Sequence, residues 1–262
     1  MKVALVQMTS VSDIEANIKS ISISIEKAAK NNAKIVLFPE NCSFMGSGKV
    51  MLENAYYEKT HPTLRVAREL ANKYNIFVLL GSISVLKKIK SILKMNNRSY
   101  FIDDKGKVLD KYDKINMFDA VISKKEIYKE SNRYCAGKRI VVVKSKIGNF
   151  GLSICYDIRF PGLYQKLAEL GSNIITIPSA FTEKTGKDHW RVLLRSRAIE
   201  TFCWVLAPAQ VGIHYDGRKT WGHSMIIDPW GRVVAEAKKN KKIIYGDIDI
   251  GLSNKTKLLW GR

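Results

Sequence analysis

The alternation of short strand-like runs with longer helix-like runs is the feature that most constrains the fold of this chain. Apolar runs typical of buried strands, such as Lys2–Gln7 and Lys34–Phe38, flank a stretch from Asp13 to Asn31 in which isoleucines recur at helical spacing. Two hairpins interrupt this order, one over 98–112 and one over 140–154. Strand–helix–strand units mixed with hairpins predict a layered α/β protein with mixed sheets.

The remaining predicted elements continue this alternation. Further strands are predicted at 76–83, 174–178, 203–210, 223–228, 233–235 and 242–249, and further helices at 63–74, 163–170 and 189–201. No linker rich in Gly, Ser or Pro divides the sequence, and no internal repeat is visible. One domain over residues 1–262 is therefore the simpler interpretation.

Composition narrows the class of protein. The chain is 46% hydrophobic and 26% charged, which is ordinary for a globular protein. It contains no apolar run of about 18 residues, and the segment from Met1 to Gln7 reads as a strand rather than as a signal peptide. We therefore expect a soluble, unprocessed, cytoplasmic protein that does not bind a membrane.

The formal net charge of +20 raises the possibility of an acidic partner such as nucleic acid. The lysines are dispersed along the whole length, and none of their runs has the interleaved aromatic residues of a single-strand binding platform. We interpret the charge as a solvated basic surface and expect no nucleic-acid partner. A protein that binds nucleic acid or another acidic partner stays as the alternative from a different functional class.

Cysteine usage sets a second limit. The four cysteines, Cys42, Cys135, Cys155 and Cys203, are widely spaced and form no Cys-x-x-Cys pair. This spacing argues against both a zinc site and a disulfide framework. Reduced thiols in a cytosol fit best, and no metal site is predicted.

Cys155 stands where the apolar run Gly151–Ile154 ends and a polar turn begins, and a helix-like stretch follows from Leu163 to Leu170. A thiol at such a turn can stand clear of the sheet as a nucleophile. We expect the positive end of the following helix to lower its pKa toward the reactive thiolate. The alternative interpretation is a small buried hydrophobic residue, which is the usual role of an unpaired cysteine.

Glu40 and Lys114, like Cys155, end or follow predicted strands. A rigid sheet fixes such residues while the next loop leaves them exposed, so strand ends that converge can present several groups to one substrate. Separately, Glu40 could be an exposed cap and Lys114 one of many surface lysines. Together, a thiol, a carboxylate that takes its proton and an ammonium that stabilises an oxyanion are what attack on a carbon bonded to nitrogen requires.

Three sequence blocks carry a close resemblance to a known family. They are Phe38–Asn41, Tyr112–Asp119 and Ser153–Pro161, and through them the chain resembles the nitrilase superfamily of carbon-nitrogen hydrolases over about residues 1–249. It is most similar to the Nit branch, which includes deaminated glutathione amidases. That interpretation rests on further blocks, which are Phe44–Gly46, Ser179–Thr182, Thr185–Gly186, His189–Trp190, Trp221–Met225 and Asp228–Gly231.

The resemblance implies a four-layer αββα sandwich with mixed sheets, usually assembled into dimers, so a homodimer or higher homo-oligomer is expected. It also implies that Cys155 is the nucleophile, Glu40 the general base and Lys114 the cation that faces the oxyanion. Tyr128–Ser131 matches the setting of a second carboxylate in the family, which makes Glu130 the candidate to position substrate or assist proton transfer. Nearby Glu126 is the weaker choice.

The implied reaction is amide hydrolysis through a thioester on Cys155, with no metal or organic cofactor. Lys114 and the N–H of Tyr156 hold the oxyanion, and Glu40 protonates the departing nitrogen and then activates water. Deaminated glutathione and 2-oxoglutaramate are both anionic, so Arg159 is expected to bind a substrate carboxylate. The side chains expected to line the same pocket are Ser179, Phe181, Thr182 and His189.

Three alternatives stay open from the sequence. His189 or His223 could activate Cys155, which would make a Cys-His hydrolase. Arg159 could instead pair with Asp157 or with a surface acid. The family could be right and the substrate different, namely a nitrile, a carbamoyl amine or a simple aliphatic amide.

Overall fold

The computed structural model describes residues 1–124, 126–215 and 217–260. In chain order the strands are β1 (Lys2–Gln7), β2 (Ile35–Leu37), β3 (Phe77–Ile89), β4 (Ile92–Ile102), β5 (Val108–Asp113), β6 (Asp119–Ser123), β7 (Glu126–Lys129), β8 (Val142–Ser145), β9 (Gly148–Leu152), β10 (Ile174–Thr176), β11 (Trp204–Ala207), β12 (Val211–Ile213), β13 (Lys219–Trp221), β14 (Met225–Ile227), β15 (Val233–Glu236) and β16 (Lys242–Asp247). The helices are α1 (Ile14–Lys30), α2 (Gly48–Glu53), α3 (Pro62–Tyr74), α4 (Pro161–Glu169), α5 (Glu183–Thr185), α6 (Arg191–Thr201) and α7 (Gly251–Leu259).

Two six-stranded sheets share one plan. The first has the order β16-β1-β2-β3-β4-β5 and the second the order β15-β14-β11-β10-β9-β8. In each, three central strands are parallel, β1-β2-β3 in one and β9-β10-β11 in the other, and the outer strands are antiparallel. The carboxyl ends of parallel strands meet at one edge of a sheet, so each sheet offers such an edge for a site.

Alternation along the strands divides the interior into separate cores. In β1, Val3 and Leu5 face the core between the two sheets, whereas Ala4 and Val6 face the core under α1 and α3. Both sets are buried because successive side chains of a strand point to opposite faces. This sheet is covered on both faces, which explains why its strands read as continuous apolar runs in the sequence.

Helices cover the outer face of each sheet. Helix α1 begins after Asp13, whose side chain accepts hydrogen bonds from the N–H groups of Glu15 and Ala16, and it buries its isoleucine face. On the other side, α4 packs beside α6, and Leu167 and Leu194 join the core of the second sheet. The order of layers is helices, sheet, sheet, helices, so the predicted four-layer αββα sandwich with mixed sheets is confirmed.

The predicted elements are present, with shifted ends and several omissions. Strand β3 extends to Ile89, beyond the predicted end at 83, and β4 starts at Ile92 rather than at Arg98, so β3 and β4 form a long hairpin that extends beyond both predicted strands. The sequence analysis missed the hairpins β6–β7 and β12–β13 and the helices α2 and α7. Helix α6 continues without a break from α5 through a π-helical turn, Gly186–Trp190.

Segments of the two sheets approach each other closely beside Gly81 in β3. A Cβ atom at this position would lie 1.9 Å from the carbonyl oxygen of Phe38 and 2.4 Å from Cβ of Pro178. Phe38 ends the segment that leads into Glu40, and Pro178 lies in the segment that follows β10. The backbone of Gly81 therefore lies between segments of the two different sheets, with no room for a side chain.

Candidate active site

Glu40 is fixed just beyond the end of β2. Its carbonyl oxygen accepts a hydrogen bond from Nε2 of Gln210 at 2.9 Å. The next residue, Asn41, has φ +55° and donates its N–H to Oγ of Ser82 at 2.9 Å. A left-handed conformation costs a non-glycine residue about 1 kcal/mol, and such strain concentrates at functional sites. The carboxylate itself is buried, with 4% of the residue exposed.

Cys155 lies at an equivalent place beyond β9. It has φ +48° and begins a 3-10 turn, Cys155–Arg159. Its N–H donates to the carbonyl oxygen of Pro178 at 3.0 Å, which fixes the cysteine against the neighbouring strand end. The residue is 8% exposed, so the thiol is reached only through a pocket.

Asp157 connects the cysteine turn to the segment that carries Lys114. One carboxylate oxygen accepts from the hydroxyl of Tyr112 at 2.7 Å and from the N–H of Ile154 at 2.9 Å. The other accepts from the N–H and the side-chain amide of Asn116, at 2.9 and 2.8 Å. Because Tyr112 and Asn116 flank Lys114, this buried carboxylate sets the position of the lysine relative to the thiol.

Lys114 joins two carboxylates in a cluster that we name the buried ionic cluster, made of Glu40, Asn97, Lys114 and Glu130. Its Nζ lies 2.9 Å from Oε1 of Glu40 and 2.9 Å from Oε2 of Glu130, and the lysine is only 2% exposed. Glu130 also accepts from the N–H of Phe118 at 2.6 Å. Glu126 lies in β7 and is absent from the cluster.

Two members of the site were missed in the sequence analysis. Nδ2 of Asn97, in β4, donates to Glu40 at 2.9 Å and to Glu130 at 3.0 Å, so it bridges the two carboxylates. The N–H of Ala180 donates to Oε2 of Glu40 at 2.9 Å. An asparagine inside a strand and a backbone N–H leave no chemical signature in the sequence, whereas Glu40 and Lys114 stand at strand ends.

The pKa shifts of Glu40 and Lys114 keep both of these side chains charged. Burial raises the pKa of Glu40, but the charge and hydrogen bonds of Lys114, together with Cys155 and Asn97, outweigh it and leave this pKa below its usual value. Burial lowers the pKa of Lys114, and Glu130 and Glu40 overcome this effect and hold it well above its usual value. The structure therefore holds a carboxylate and an ammonium beside the thiol.

The expectation of a lowered cysteine pKa is wrong. Burial and the negative charge of Glu40 raise the pKa of the Cys155 thiol well above its usual value, and the opposing effect of Lys114 is smaller. Helix α4 begins only at Pro161, beyond the 3-10 turn, so its positive end is not adjacent to the sulfur. The resting cysteine is a neutral thiol that shares a hydrogen bond with the carboxylate of Glu40.

A pocket of about 810 Å³, which includes its open mouth, leads to these groups. Glu40, Lys114, Glu130 and Cys155 all line it. Its other walls carry aromatic, methionine and cationic side chains, namely Met45, Met51, Phe118, Tyr128, Lys129, Arg133, Tyr134, Tyr156, Arg159, Phe181 and Arg218. A small apolar pocket with several cations suits a small anionic ligand.

Four of the six predicted substrate-binding residues line this pocket, and two do not. Tyr156, Arg159, Phe181 and Thr182 are in its walls. Ser179 is fully buried, and its hydroxyl donates to the carbonyl oxygen of Ile177 at 3.1 Å. It faces away because successive residues of an extended segment point to opposite sides, and the neighbouring Ala180 faces the pocket.

His189 is exposed on the π-helical turn and touches the pocket only through another side chain. Its Nδ1 lies 3.0 Å from a guanidinium nitrogen of Arg159. The guanidinium of Arg159 also lies 5.5 Å from the ring centre of Phe181. Asp157 accepts hydrogen bonds from other donors and does not pair with Arg159. Within the described ranges Arg159 forms no ion pair, so its guanidinium can bind a ligand.

No histidine lines the pocket among the residues that the structure describes. Nδ1 of His223 lies 2.6 Å from Glu236, and its ring stacks on Trp221, with the ring centres 4.4 Å apart. This geometry does not favour a Cys-His hydrolase. In the described part of the chain, no group of three or more His, Cys, Asp or Glu side chains is placed to hold a metal ion.

Comparison with known proteins decides the family. The family model described as Carbon-nitrogen hydrolase matches residues 2–257. The chain belongs to the carbon-nitrogen hydrolase family.

Relatives of this carbon-nitrogen hydrolase agree with the family assignment. A protein named deaminated glutathione amidase from Synechocystis is 38% identical over 248 residues, which are 94% of this chain and 90% of that protein. Probable hydrolase nit2 of Schizosaccharomyces pombe is 40% identical over 95% of this chain and 91% of that protein. The predicted membership of the nitrilase superfamily is confirmed.

A solved structure supports the same assignment. Nit3 of Saccharomyces cerevisiae, described as a member of branch 10 of the nitrilase superfamily, has a TM-score of 0.87 to this carbon-nitrogen hydrolase. The two are 30% identical, and the match covers 99% of this chain and 93% of that chain. None of the helices in the described ranges has the length and apolar character needed to cross a bilayer.

Chemically, the site of this carbon-nitrogen hydrolase has the parts for attack on a carbon bonded to nitrogen. The Glu40 carboxylate beside the thiol can accept its proton, and the Lys114 ammonium can offset negative charge on a tetrahedral oxygen. The N–H of Tyr156 has no backbone or side-chain acceptor within the described residues, whereas that of Cys155 is taken by Pro178. Tyr156 is thus the backbone donor that stays available next to the sulfur.

Proposed function

We propose that the chain is an amidase that hydrolyses a small anionic amide through a thioester on Cys155. The observation that carries the proposal is the convergence of Glu40, Lys114 and Cys155 at the inner end of one pocket whose walls also carry arginines. Thiol, carboxylate and ammonium come from three different segments, and a core packing role would not require them to meet.

The first half of the reaction forms the acyl-enzyme. Glu40 removes the thiol proton as the sulfur of Cys155 attacks the amide carbonyl, which is required because the thiol is neutral at rest. Lys114 and the N–H of Tyr156 stabilise the oxyanion. The protonated Glu40 then gives its proton to the departing nitrogen, the C–N bond breaks, and the thioester remains.

The second half returns the enzyme to its starting state. Glu40, again a carboxylate, removes a proton from a water molecule, and the resulting hydroxide attacks the thioester carbonyl. The C–S bond breaks, a carboxylic acid leaves as its carboxylate, and the thiol regains its proton. Glu130 keeps Lys114 in place through both halves, since both of its carboxylate oxygens accept from the ammonium independently of Glu40.

The relatives named deaminated glutathione amidase suggest the substrate. In deaminated glutathione a 2-oxoglutaryl group is joined through an amide bond to cysteinylglycine, so hydrolysis gives 2-oxoglutarate and the dipeptide. Arg159 lies on the same turn as Cys155 and is proposed to bind the carboxylate of the acyl group, with Phe181 and Thr182 beside it. The primary amide 2-oxoglutaramate has the same acyl group and is the second candidate.

The decisive experiment is a substrate screen with direct detection of the acid product. Deaminated glutathione, 2-oxoglutaramate, glutamine, a carbamoyl amino acid and a nitrile are incubated with the enzyme, and the carboxylate released is measured by chromatography. We expect turnover of the 2-oxoglutaryl amides and none by Cys155→Ala. Equal activity in that variant would refute the mechanism, and turnover of the nitrile alone would refute the substrate class.

Assembly, location and domain organisation complete the proposal. We propose a homodimer or higher homo-oligomer, because Val192 and Ile199 on α6 and Leu258 and Trp260 at the end of α7 are exposed apolar residues. The unpaired cysteines fit a reducing, cytoplasmic compartment. Residues 1–262 are proposed to form a single carbon-nitrogen hydrolase domain. Light scattering after size-exclusion chromatography measures the assembly, and a monomeric mass would contradict it.

A further inference from the structure

We propose that Arg133 binds a second carboxylate, carried by the amine side of the substrate, so that the enzyme prefers amides with an anionic group on each side of the scissile bond. This inference rests on the proposed function, because it concerns the same pocket and the same reaction. It adds a specificity-determining residue that the sequence analysis did not identify.

Arg133 has a guanidinium without a partner. It lines the pocket, yet its Nε is buried and makes no hydrogen bond. Within residues 1–124, 126–215 and 217–260 no carboxylate pairs with it either. A charged donor that is withdrawn from water without an acceptor is costly, and proteins normally avoid this. The terminal Nη nitrogens are not closed off in this way, so a carboxylate in the pocket can give the guanidinium the anionic partner that it lacks, in the bidentate geometry that arginine favours.

The backbone that carries this side chain is fixed before any ligand arrives. The N–H of Arg133 donates to the carbonyl oxygen of Glu130 at 3.0 Å, and its own carbonyl oxygen accepts from Met95 at 2.9 Å. The guanidinium lies against the backbone of Gly48, where a Cβ atom would be 2.0 Å from Nη1. A binding group that is held in place loses less conformational freedom when the ligand binds.

The charges of the pocket call for a ligand with more than one negative charge. Glu40 and Glu130 share the single ammonium of Lys114, which leaves one net negative charge in that cluster. Neither carboxylate forms an ion pair with Arg133 or Arg159 within the described residues, and these two arginines add two positive charges to the pocket wall. A ligand with a single carboxylate would satisfy only one of them.

The two arginines belong to different segments of the site. Arg159 is on the turn that begins with Cys155, and the acyl carbon must lie at the sulfur of that cysteine. Arg133 follows the 3-10 turn Glu130–Asn132, on a separate segment whose Glu130 contacts Lys114. Attack by the sulfur places the acyl group toward the cysteine turn, so the departing amine is left for the segment with Arg133. Deaminated glutathione has a carboxylate on each side, whereas 2-oxoglutaramate has none on its nitrogen.

The test changes enzyme and substrate together. Arg133→Met and the parent are assayed with deaminated glutathione and with its glycinamide form, which lacks only the carboxylate of the amine side. We expect kcat/KM of the variant to fall by about 10- to 100-fold on the first substrate, mainly through KM, and by less than about threefold on the second. The preference of the parent for the dianion should thus largely vanish.

Two further variants guard against a general structural effect. Gly48→Ala keeps the charge but moves the guanidinium, and this movement is inexpensive because only the end of a flexible side chain must shift. It should lower kcat/KM for the dianion in the same direction. Arg159→Met should instead lower kcat/KM on both substrates. Circular dichroism of each variant checks that the fold is retained.

Several results would overturn the inference. Equal losses of kcat/KM on the two substrates would mean that Arg133 binds the acyl side or only supports the pocket wall. No loss on either substrate would mean that Arg133 does not bind the substrate. Calorimetric binding of both compounds to Cys155→Ala gives a readout that needs no turnover. The parent could hydrolyse neither amide while Cys155→Ala still bound deaminated glutathione more tightly than the glycinamide form, with the difference lost on Arg133→Met. That result would refute the proposed reaction but support the binding site.

Discussion

Two ionic groupings occupy opposite faces of the same pair of strands, and only one of them is part of a candidate active site. The buried ionic cluster includes Asn97 and Lys114. The adjacent residues Arg98 and Asp113 are paired across β4 and β5 and belong to what we name the surface ionic network, which is Glu58, Arg98, Lys111 and Asp113. Adjacent side chains of a strand point to opposite faces of the sheet. The same pairing of β4 with β5 therefore places Arg98 and Asp113 on one face and their neighbours Asn97 and Lys114 on the other.

The two differ most in solvation. Each has two carboxylates at hydrogen-bond distance from a cation, which is Lys114 alone in the buried cluster and Arg98 with Lys111 in the surface network. In the surface network the side chain of Lys111 is 41% exposed, whereas that of Lys114 in the buried cluster is 2% exposed. Water screens the charges of the surface ionic network. The charges of the buried ionic cluster are screened much less, so they act more strongly on the neighbouring thiol. Burial thus turns a common surface arrangement into one that can move a proton.

Loss of the buried ammonium should have the largest effect. Lys114→Met leaves Glu40 and Glu130 buried without a cation, so we expect the free energy of unfolding to fall by about 3–5 kcal/mol. Activity should fall below detection, since the oxyanion loses its cation as well. The measurements are urea unfolding and steady-state kinetics.

Lys111→Met is the matched control for this substitution, because it also removes a lysine that holds a carboxylate. We expect it to cost less than about 1 kcal/mol, since an exposed ion pair contributes little. Similar losses of stability in both variants would show that burial does not separate the two groupings.

Removal of one buried carboxylate charge should have the next largest effect. Glu40→Gln keeps the shape of the side chain but removes the base and turns one of its two acceptor oxygens into a donor, so kcat should fall by about 10²- to 10⁴-fold. Glu58→Gln is the matched control and should change kcat by less than about threefold. If the two variants had equal kcat values, Glu40 would not act as the base.

Arg98→Met should affect stability more than activity. The guanidinium donates to Asp113 at 2.6 and 2.9 Å and to Glu58 at 2.6 Å, in a partly solvated setting. We expect the free energy of unfolding to fall by about 1–2 kcal/mol, which is modest because water can replace these contacts. Urea unfolding measures this loss. A fall in kcat by more than about tenfold would instead couple the surface network to the site.

The pH dependence should show the smallest change. The base Glu40 must be charged, and its pKa is lowered. The acid limb of the kcat/KM profile therefore lies below the usual pKa range of a glutamate. The pKa values of Lys114 and of the Cys155 thiol are both raised, so the lysine stays charged and the thiol neutral to higher pH. The alkaline limb of the profile therefore moves to higher pH. We expect kcat/KM to vary by less than about threefold between about pH 6 and 9.

A limb centred near about pH 6.5 would contradict this profile, because that is the range of a histidine base. His189→Ala and His223→Ala would then identify the residue that titrates. In the absence of such a limb, both variants should keep the flat profile of the parent.

Much of the fold was predictable because its strands are buried on both faces and its helices have one apolar face. The helix predicted over Asp13–Asn31 matches α1 closely, since Asp13 caps its start. The small hairpins β6–β7 and β12–β13 carry exposed apolar residues such as Val121 and Ile213. Their sequences lack the strict alternation that a half-buried strand imposes, and the sequence analysis therefore missed them.

The candidate site was predictable where a residue type has few uses at a strand end, as for Glu40, Lys114 and Cys155. Ser179 was expected in the pocket, but a shift of one residue along an extended segment reverses the direction of a side chain. The direction of the pKa shift of Cys155 depends on burial and on Glu40, which lies far away in the sequence. Arg133 was identified because its guanidinium lines the pocket without a carboxylate partner, and the absence of a partner can be seen only in the three-dimensional structure.

Gly81 carries no functional group, yet the two strand ends that it separates lead to Glu40 and hold Cys155 through Pro178. Even a methyl group there would force Phe38 and Pro178 apart and with them the base and the thiol. In a saturation-mutagenesis screen for activity, Gly81 should therefore tolerate as few replacements as the nucleophile itself. Such a screen would measure the width of the gap between two sheets rather than any chemistry at that position.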